Sequence, residues 1–157
     1  MALEINILVG TMTGTAELVA QEIELTVSDE DTVVTITDMD KLDASMLKPG
    51  SLYLICTSTY GSGDVPDNAR AFYESLLSAR PSLESVRYGV IGLGDRTYQQ
   101  TFCFGGKKFD AIFEELGASR IGEVCIHDAS EGTLPEEVCL EWAQQWIDAA
   151  RTEMAAA

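Results

Sequence analysis

Histidine occurs once in the 157 residues, as His127, and no two of the four cysteines (Cys56, Cys103, Cys125, Cys139) form a C-x-x-C pair. Without clustered histidines or paired cysteines, neither a zinc site nor a redox dithiol motif is expected, and the metal-site expectation is none. Isolated thiols of this kind fit a reducing cytoplasm. Basic residues are also scarce: 10 Lys and Arg stand against 26 Asp and Glu, a net charge of −16. Such a field repels nucleic acid and anionic membranes and steers basic protein partners. No apolar run approaches the ~20 residues of a membrane-spanning helix. The start, Met1-Ala2-Leu3-Glu4-Ile5-Asn6, lacks the basic segment and cleavage site of a secretory signal and reads as a strand. Repeats, low-complexity tracts and linkers are absent, so a single domain over residues 1–157 is expected. With 46% hydrophobic residues, a chain of this size buries about 68–70% of its unfolded surface.

What is present alternates in period. Residues 3–9 form a nearly continuous apolar run that ends at Gly10. Between residues 14 and 28, Ala16, Val19, Ala20, Ile23 and Val27 recur at helical spacing. Residues 32–37 are β-branched throughout, and 52–57 form a second buried-strand run after Pro49-Gly50. Helical patterning returns over 66–79, with Pro66 in the first turn. A strand follows at 87–93, then a helix over 106–116 stopped by Gly117. The last strand is expected to run uninterrupted over 120–127, and the last helix over 135–154. On that helix Trp142 and Trp146 lie four apart with Val138 on the same stripe, which predicts core packing. Five strands alternating with helices predict an α/β fold with a parallel sheet covered on both faces. Ligands in such folds bind beyond the carboxyl ends of the strands, where strand order reverses. The segments to inspect follow Val9, Thr57, Leu93 and His127.

The first, Gly10-Thr11-Met12-Thr13-Gly14-Thr15-Ala16, leads straight into a helix. Three threonines at alternate positions offer hydroxyls, Gly14 permits a tight turn, and the helix start adds free N–H groups. It contains no Lys or Arg and lacks both the Gly-Lys-Ser/Thr ending of a P-loop and the G-x-G-x-x-G pattern. A phosphate monoester held by dipoles and hydroxyls suits it; the plainer alternative is a polar helix cap. The second segment, Thr57-Ser58-Thr59-Tyr60-Gly61-Ser62-Gly63-Asp64-Val65-Pro66-Asp67-Asn68, sets two glycines beside an aromatic face. The third, Gly92-Leu93-Gly94-Asp95-Arg96-Thr97-Tyr98-Gln99-Gln100-Thr101-Phe102-Cys103, carries another tyrosine. The fourth is His127-Asp128-Ala129-Ser130-Glu131-Gly132, where Asp128 suits a helix cap or turn as well as a ligand, and His127 reads as structural.

These segments resemble the flavodoxin family along essentially the whole chain. The first resembles the T/S-x-T-G-x-T loop that wraps the phosphate of FMN. The second is similar to the T-Y-G-x-G-D-x-x-D-N run of short flavodoxins and of diflavin-reductase FMN domains. The third is similar to G-L-G-[DN]-x-x-Y-x-x-[FC]. Asp64 to Asn68 and Phe102-Cys103 lean towards the MioC-like members, and the uninterrupted last strand towards the short-chain subgroup. The resemblance implies a three-layer flavodoxin-like fold, a five-stranded parallel sheet of order 2-1-3-4-5 with helices on both faces. It implies FMN as cofactor, with contacts from Thr11, Met12, Thr13, Gly14, Thr15, Ala16, Ser58, Thr59, Tyr60, Gly61, Gly63, Leu93, Gly94, Asp95, Tyr98, Phe102, Cys103 and Asp128. Tyr98 makes the main stack on the isoalloxazine, Tyr60 flanks it, and Asp128 lies near the flavin edge. Two departures stand out. Met12 replaces a smaller or polar residue, and one extra residue separates Tyr98 from Phe102 relative to the diflavin reductases.

The implied function is a cytoplasmic, monomeric electron carrier with no catalytic residues of its own. Its partners would be a flavodoxin reductase-type donor and redox acceptor proteins, docked transiently by charge. The flavin carries the chemistry, and the fold tunes it by binding the redox forms unequally. Each tenfold difference in binding shifts a one-electron potential by about 59 mV. Acidic surroundings favour a strong reductant, and the Gly61 peptide can turn to accept a hydrogen bond from the reduced N5–H. Two other readings fit less well. A phospho-receiver module needs clustered acids after strand one and an aspartate ending strand three, where this chain has Gly10-Thr11 and Thr57-Ser58. A flavin enzyme such as a quinone reductase needs a hydride-donor site, which no feature here supplies.

Overall fold

The computed structural model describes residues 3–10, 15–48, 50–58, 67–94, 104–128 and 133–156. Strand β1 (Leu3–Gly10) is followed by helix α1 (Thr15–Val27), β2 (Thr32–Asp38), β3 (Leu52–Ser58), α2 (Asp67–Ala79) and β4 (Arg87–Gly94). Then come α3 (Phe104–Glu115), two short strands β5 (Ser119–Arg120) and β6 (Cys125–Asp128), and α4 (Pro135–Ala156). Two 3-10 turns, Met39–Lys41 and Ala44–Met46, lead from β2 towards β3. All strand pairs are parallel and run in the order β2-β1-β3-β4-β5, with β6 also on β4. The order 2-1-3-4-5 expected from the sequence is therefore found, with the fifth position shared by two pieces.

That division corrects one expectation. The strand expected over 120–127 is broken between Arg120 and Cys125, where Gly122 adopts φ +69°. A left-handed residue cannot continue a pleated ladder, so pairing stops and restarts at Cys125. Gly117, by contrast, acts as expected. At φ +105° it ends α3, with the N–H of Gly117 donating to Glu114 O at 3.0 Å and that of Ala118 to Phe113 O at 3.0 Å.

Alternation along the buried strands sorts side chains onto two faces. Ile5, Ile7, Val9, Leu52, Leu54, Cys56, Ile91 and Leu93 face one cluster, covered by α1 and α4. Leu8, Tyr53, Ile55, Tyr88 and Val90 face the other, covered by α2 and α3. The covering stripes have the required 3–4 spacing: Ala16, Val19, Ala20 and Ile23 on α1, and Phe109, Ile112, Phe113 and Leu116 on and just after α3. On α4 the buried stripe is Cys139, Ala143, Trp146, Ile147 and Ala150, with Trp142 half-buried against it. Val138 is not on that stripe, being 37% exposed one position before Cys139. The two indoles stack at 5.9 Å and 17°. At the far end of α4, Arg151 reaches back to the α1–β2 turn, with Nη2 donating to Thr32 Oγ1 at 2.6 Å and Nη1 to Asp31 O at 3.2 Å. Among the described residues no helix is long and apolar enough to cross a membrane.

Candidate functional site

The parallel register aligns the carboxyl ends of four strands along one edge of the sheet. Gly10 pairs with Thr57, Thr57 with Gly92, and Gly92 with Ile126, forming one row across β1, β3, β4 and β6. One step further on, Ser58 pairs with Leu93 and Leu93 with His127; beyond them Gly94 pairs with Asp128. Each of these four strands leads into one of the segments singled out by the sequence. Of the candidate contacts, Ala16, Leu93, Ser58, Gly94 and Asp128 thus gather at this edge or at the helix start beside it. Ala16 is fully buried and Leu93 nearly so. Thr15 is the first residue of α1. Thr11, Met12, Thr13, Gly14, Thr59, Tyr60, Gly61, Gly63, Asp95, Tyr98, Phe102 and Cys103 lie outside the described residues.

Close packing explains the edge's small residues. A Cβ on Gly10 would lie 2.8 Å from Thr57 Oγ1 and 3.0 Å from both Ala69 Cβ and Met39 Sδ. A Cβ on Gly106 would lie 3.0 Å from Gly92 Cα, so α3 rests directly on the β4 backbone. These contacts press α2, α3 and the carboxyl end of the sheet together. Thr57, buried among them near the carboxyl end of β3, is not one of the contacts expected from the sequence. A polar residue closing an otherwise apolar strand was its available signal.

His127 lies at the carboxyl end of the sheet, one residue before the end of β6. It is buried, and its Nε2 lies 3.0 Å from Thr133 Oγ1 and 3.1 Å from Thr133 O. The imidazole thereby ties the end of β6 to the approach of α4, closing the base of the fourth segment. Among the described residues no group of three His, Cys, Asp or Glu side chains could hold a metal ion.

The donors suit a phosphate monoester. Helix α1 has 13 residues, and only residues 11–14 separate it from the carboxyl end of β1. Its first-turn N–H groups have no partners within the helix and carry its positive dipole end. The first turn holds an acid, Glu17, and no base, so an anion at this helix start would meet the dipole and backbone amides without a cation from that turn. Beside it, a groove of about 500 Å³ is lined by Glu17, Glu24 and Asp38, with Lys41 the one base on its described wall.

Known proteins share this arrangement. A protein-family model described as Flavodoxin matches residues 7–142. The chain is 38% identical over 143 residues to "Flavodoxin YqcA" of Escherichia coli K12, covering 91% of this chain and 95% of that one. It is 33% identical over 145 residues to "Protein MioC" of the same strain, covering 92% and 97%. A solved flavodoxin from Pseudomonas aeruginosa, carrying a single cysteine-to-alanine mutation, superposes with a TM-score of 0.82 at 32% identity, covering 94% of this chain and 98% of that one. The chain belongs to the flavodoxin family: it is an FMN-binding electron-transfer protein that turns over no substrate of its own.

Proposed function

We propose that the chain holds the FMN phosphate over the start of α1 and the isoalloxazine between the segments that follow β3 and β4. The observation that carries this is the shared row of strand ends, Gly10–Thr57–Gly92–Ile126, from which all four segments depart. In this reading Thr11, Thr13 and Thr15 donate hydroxyls, and the amides of Met12, Gly14 and Ala16 complete the cradle. Ser58, Thr59, Gly61, Gly63, Leu93, Gly94, Asp95, Phe102, Cys103 and Asp128 border the ring system, with Tyr60 and Tyr98 on its faces. When bound, the flavin supplies one-electron redox chemistry. The residues bind it, exclude water from it and set the charge around it. Titration of the apoprotein with FMN and with riboflavin tests the reading. FMN should bind more tightly, and Thr13→Ala should weaken FMN more than riboflavin. Equal affinities of the parent protein for the two ligands would remove its basis.

The partners in this reading are redox proteins with basic faces: a flavodoxin reductase-type donor, and acceptors that dock transiently over the flavin edge. The net charge of −16 and the acid-lined groove beside α1 support that polarity. The same reading takes the chain as a monomer working in the cytoplasm.

A further inference from the structure

The sulfur atoms of Cys125 and Cys139 lie 3.8 Å apart, although the residues are 14 apart in sequence and form no spacing motif. Cys125 begins β6, and Cys139 sits on the buried stripe of α4. We propose that this pair is a reversible disulfide site, whose closure links β6 to α4 and clamps the segment that carries His127 and Asp128.

Three observations support the assignment. Both cysteines are free, and bonding needs the sulfurs to close only from 3.8 Å to about 2.05 Å. The backbone on either side is already joined by His127 and Thr133, so the crosslink adds to an existing tie rather than pulling two mobile elements together. The third buried thiol is otherwise engaged: Cys56 donates to Ala16 O at 3.4 Å, and burial pushes its pKa up. The contact between the two sulfurs is the largest influence on each, lowering the pKa of Cys125 and raising that of Cys139. Cys125 is also the more accessible, at 6% against 0%.

The oxidant that fits so enclosed a sulfur is hydrogen peroxide. The Cys125 thiolate attacks one peroxide oxygen; an S–O bond forms, the O–O bond breaks, and the departing hydroxide takes up a proton as water. The Cys139 sulfur then attacks the sulfenic sulfur of Cys125. An S–S bond forms, the S–O bond breaks, and a second water leaves with the Cys139 proton. Two thiols and one peroxide become one disulfide and two waters. A small dithiol reverses the change by exchange, its own sulfurs ending as a disulfide.

The test treats the full chain with hydrogen peroxide, denatures it in N-ethylmaleimide and digests it without reductant. A linked peptide joining positions 125 and 139 is expected. Alkylatable thiols should fall from the four of the sequence to two, and dithiothreitol should restore them. In Cys139→Ser the link should be absent, and a dimedone adduct should mark Cys125. The parent digest decides the matter even if the variant does not fold. Absence of the linked peptide at peroxide doses that oxidise the protein's methionines would overturn the proposal. So would a link between other cysteines, or oxidation of Cys125 to a sulfinic acid while Cys139 remains alkylatable.

Discussion

Trp146 occupies the volume that any side chain at Gly89 would need: a Cβ there would lie 2.3 Å from the indole Nε1 and 2.5 Å from Cε2. The same Nε1 donates to Ile121 O at 3.0 Å, next to the break between β5 and β6. The indole is thus wedged between β4 and the interrupted fifth strand position, and α4 cannot shift without breaking a buried hydrogen bond. Gly89→Ala should cost about 1–3 kcal/mol by overpacking, with about 1 kcal/mol more if the hydrogen bond is lost. Urea denaturation followed by tryptophan fluorescence measures this, and an unchanged midpoint would contradict the wedge.

Tyr88 should make the protein sensitive to alkali. Its ring is fully buried, and its hydroxyl donates to Asp110 Oδ1 at 2.6 Å, while Arg120 Nη1 holds Asp110 Oδ2 at 2.6 Å. Burial first, and then the bond to the carboxylate, raise its pKa above the ordinary value of 10.0. The folded chain therefore keeps this proton at pH values where the unfolded chain has lost it. The resulting stability is fully present below pH ~10 and is lost as pH rises above it. Tyrosinate absorbance should show Tyr88 resisting ionisation until the protein unfolds. Tyr88→Phe should flatten the stability profile above pH ~10; a profile as steep as the parent's would assign the loss elsewhere.

The elements were legible because buried parallel strands and amphipathic helices leave strong periodic traces. The stripe Ala16, Val19, Ala20, Ile23 and the β-branched run at 32–37 are both where their patterns put them. The fifth strand position was less legible. The apolar and β-favouring residues around Gly122 read as one continuous run, and only the backbone reveals its left-handed turn. Val138 misled for another reason. A helical stripe is about 100° wide, and one residue's shift moved the buried face to Cys139. The end of the sheet at which the candidate segments depart was readable because it depends on topology alone. The Cys125–Cys139 approach was not, since it depends on how β6 and α4 pack across the chain.

Tyr98 should govern the flavin's lower one-electron potential. A phenol packed on the ring favours the neutral oxidised form over the electron-rich reduced form, because both π faces are negative in the latter. Tyr98→Ala should raise that potential and weaken FMN binding by ~1–2 kcal/mol. Redox titration of the variant beside the parent checks both. If neither quantity moves, the tyrosine packs on its own segment instead.

Salt should slow electron exchange with partner proteins. With a net charge of −16, encounter with a basic face is steered, and screening cuts the Debye length to about 10 Å at 0.1 M. Stopped-flow rates with a reductase-type donor should fall steadily as sodium chloride rises. A flat profile would mean that charge does not guide docking.

The hold of Arg151 on the α1–β2 turn fixes the point from which an edge strand departs. Among the described residues, strand β2 is the outermost strand on its side and pairs only with β1, and Val33 on it is 46% exposed. Unpaired N–H and C=O groups on such an edge are a template for a strand from another molecule. Arg151 grips Asp31 and Thr32, where that edge begins, with Thr32 119 residues away in sequence. Clipping the chain before Arg151 would leave the cofactor edge of the sheet untouched, yet release the turn from which β2 departs. The damage would then surface as aggregation during storage or heating, before any loss of colour.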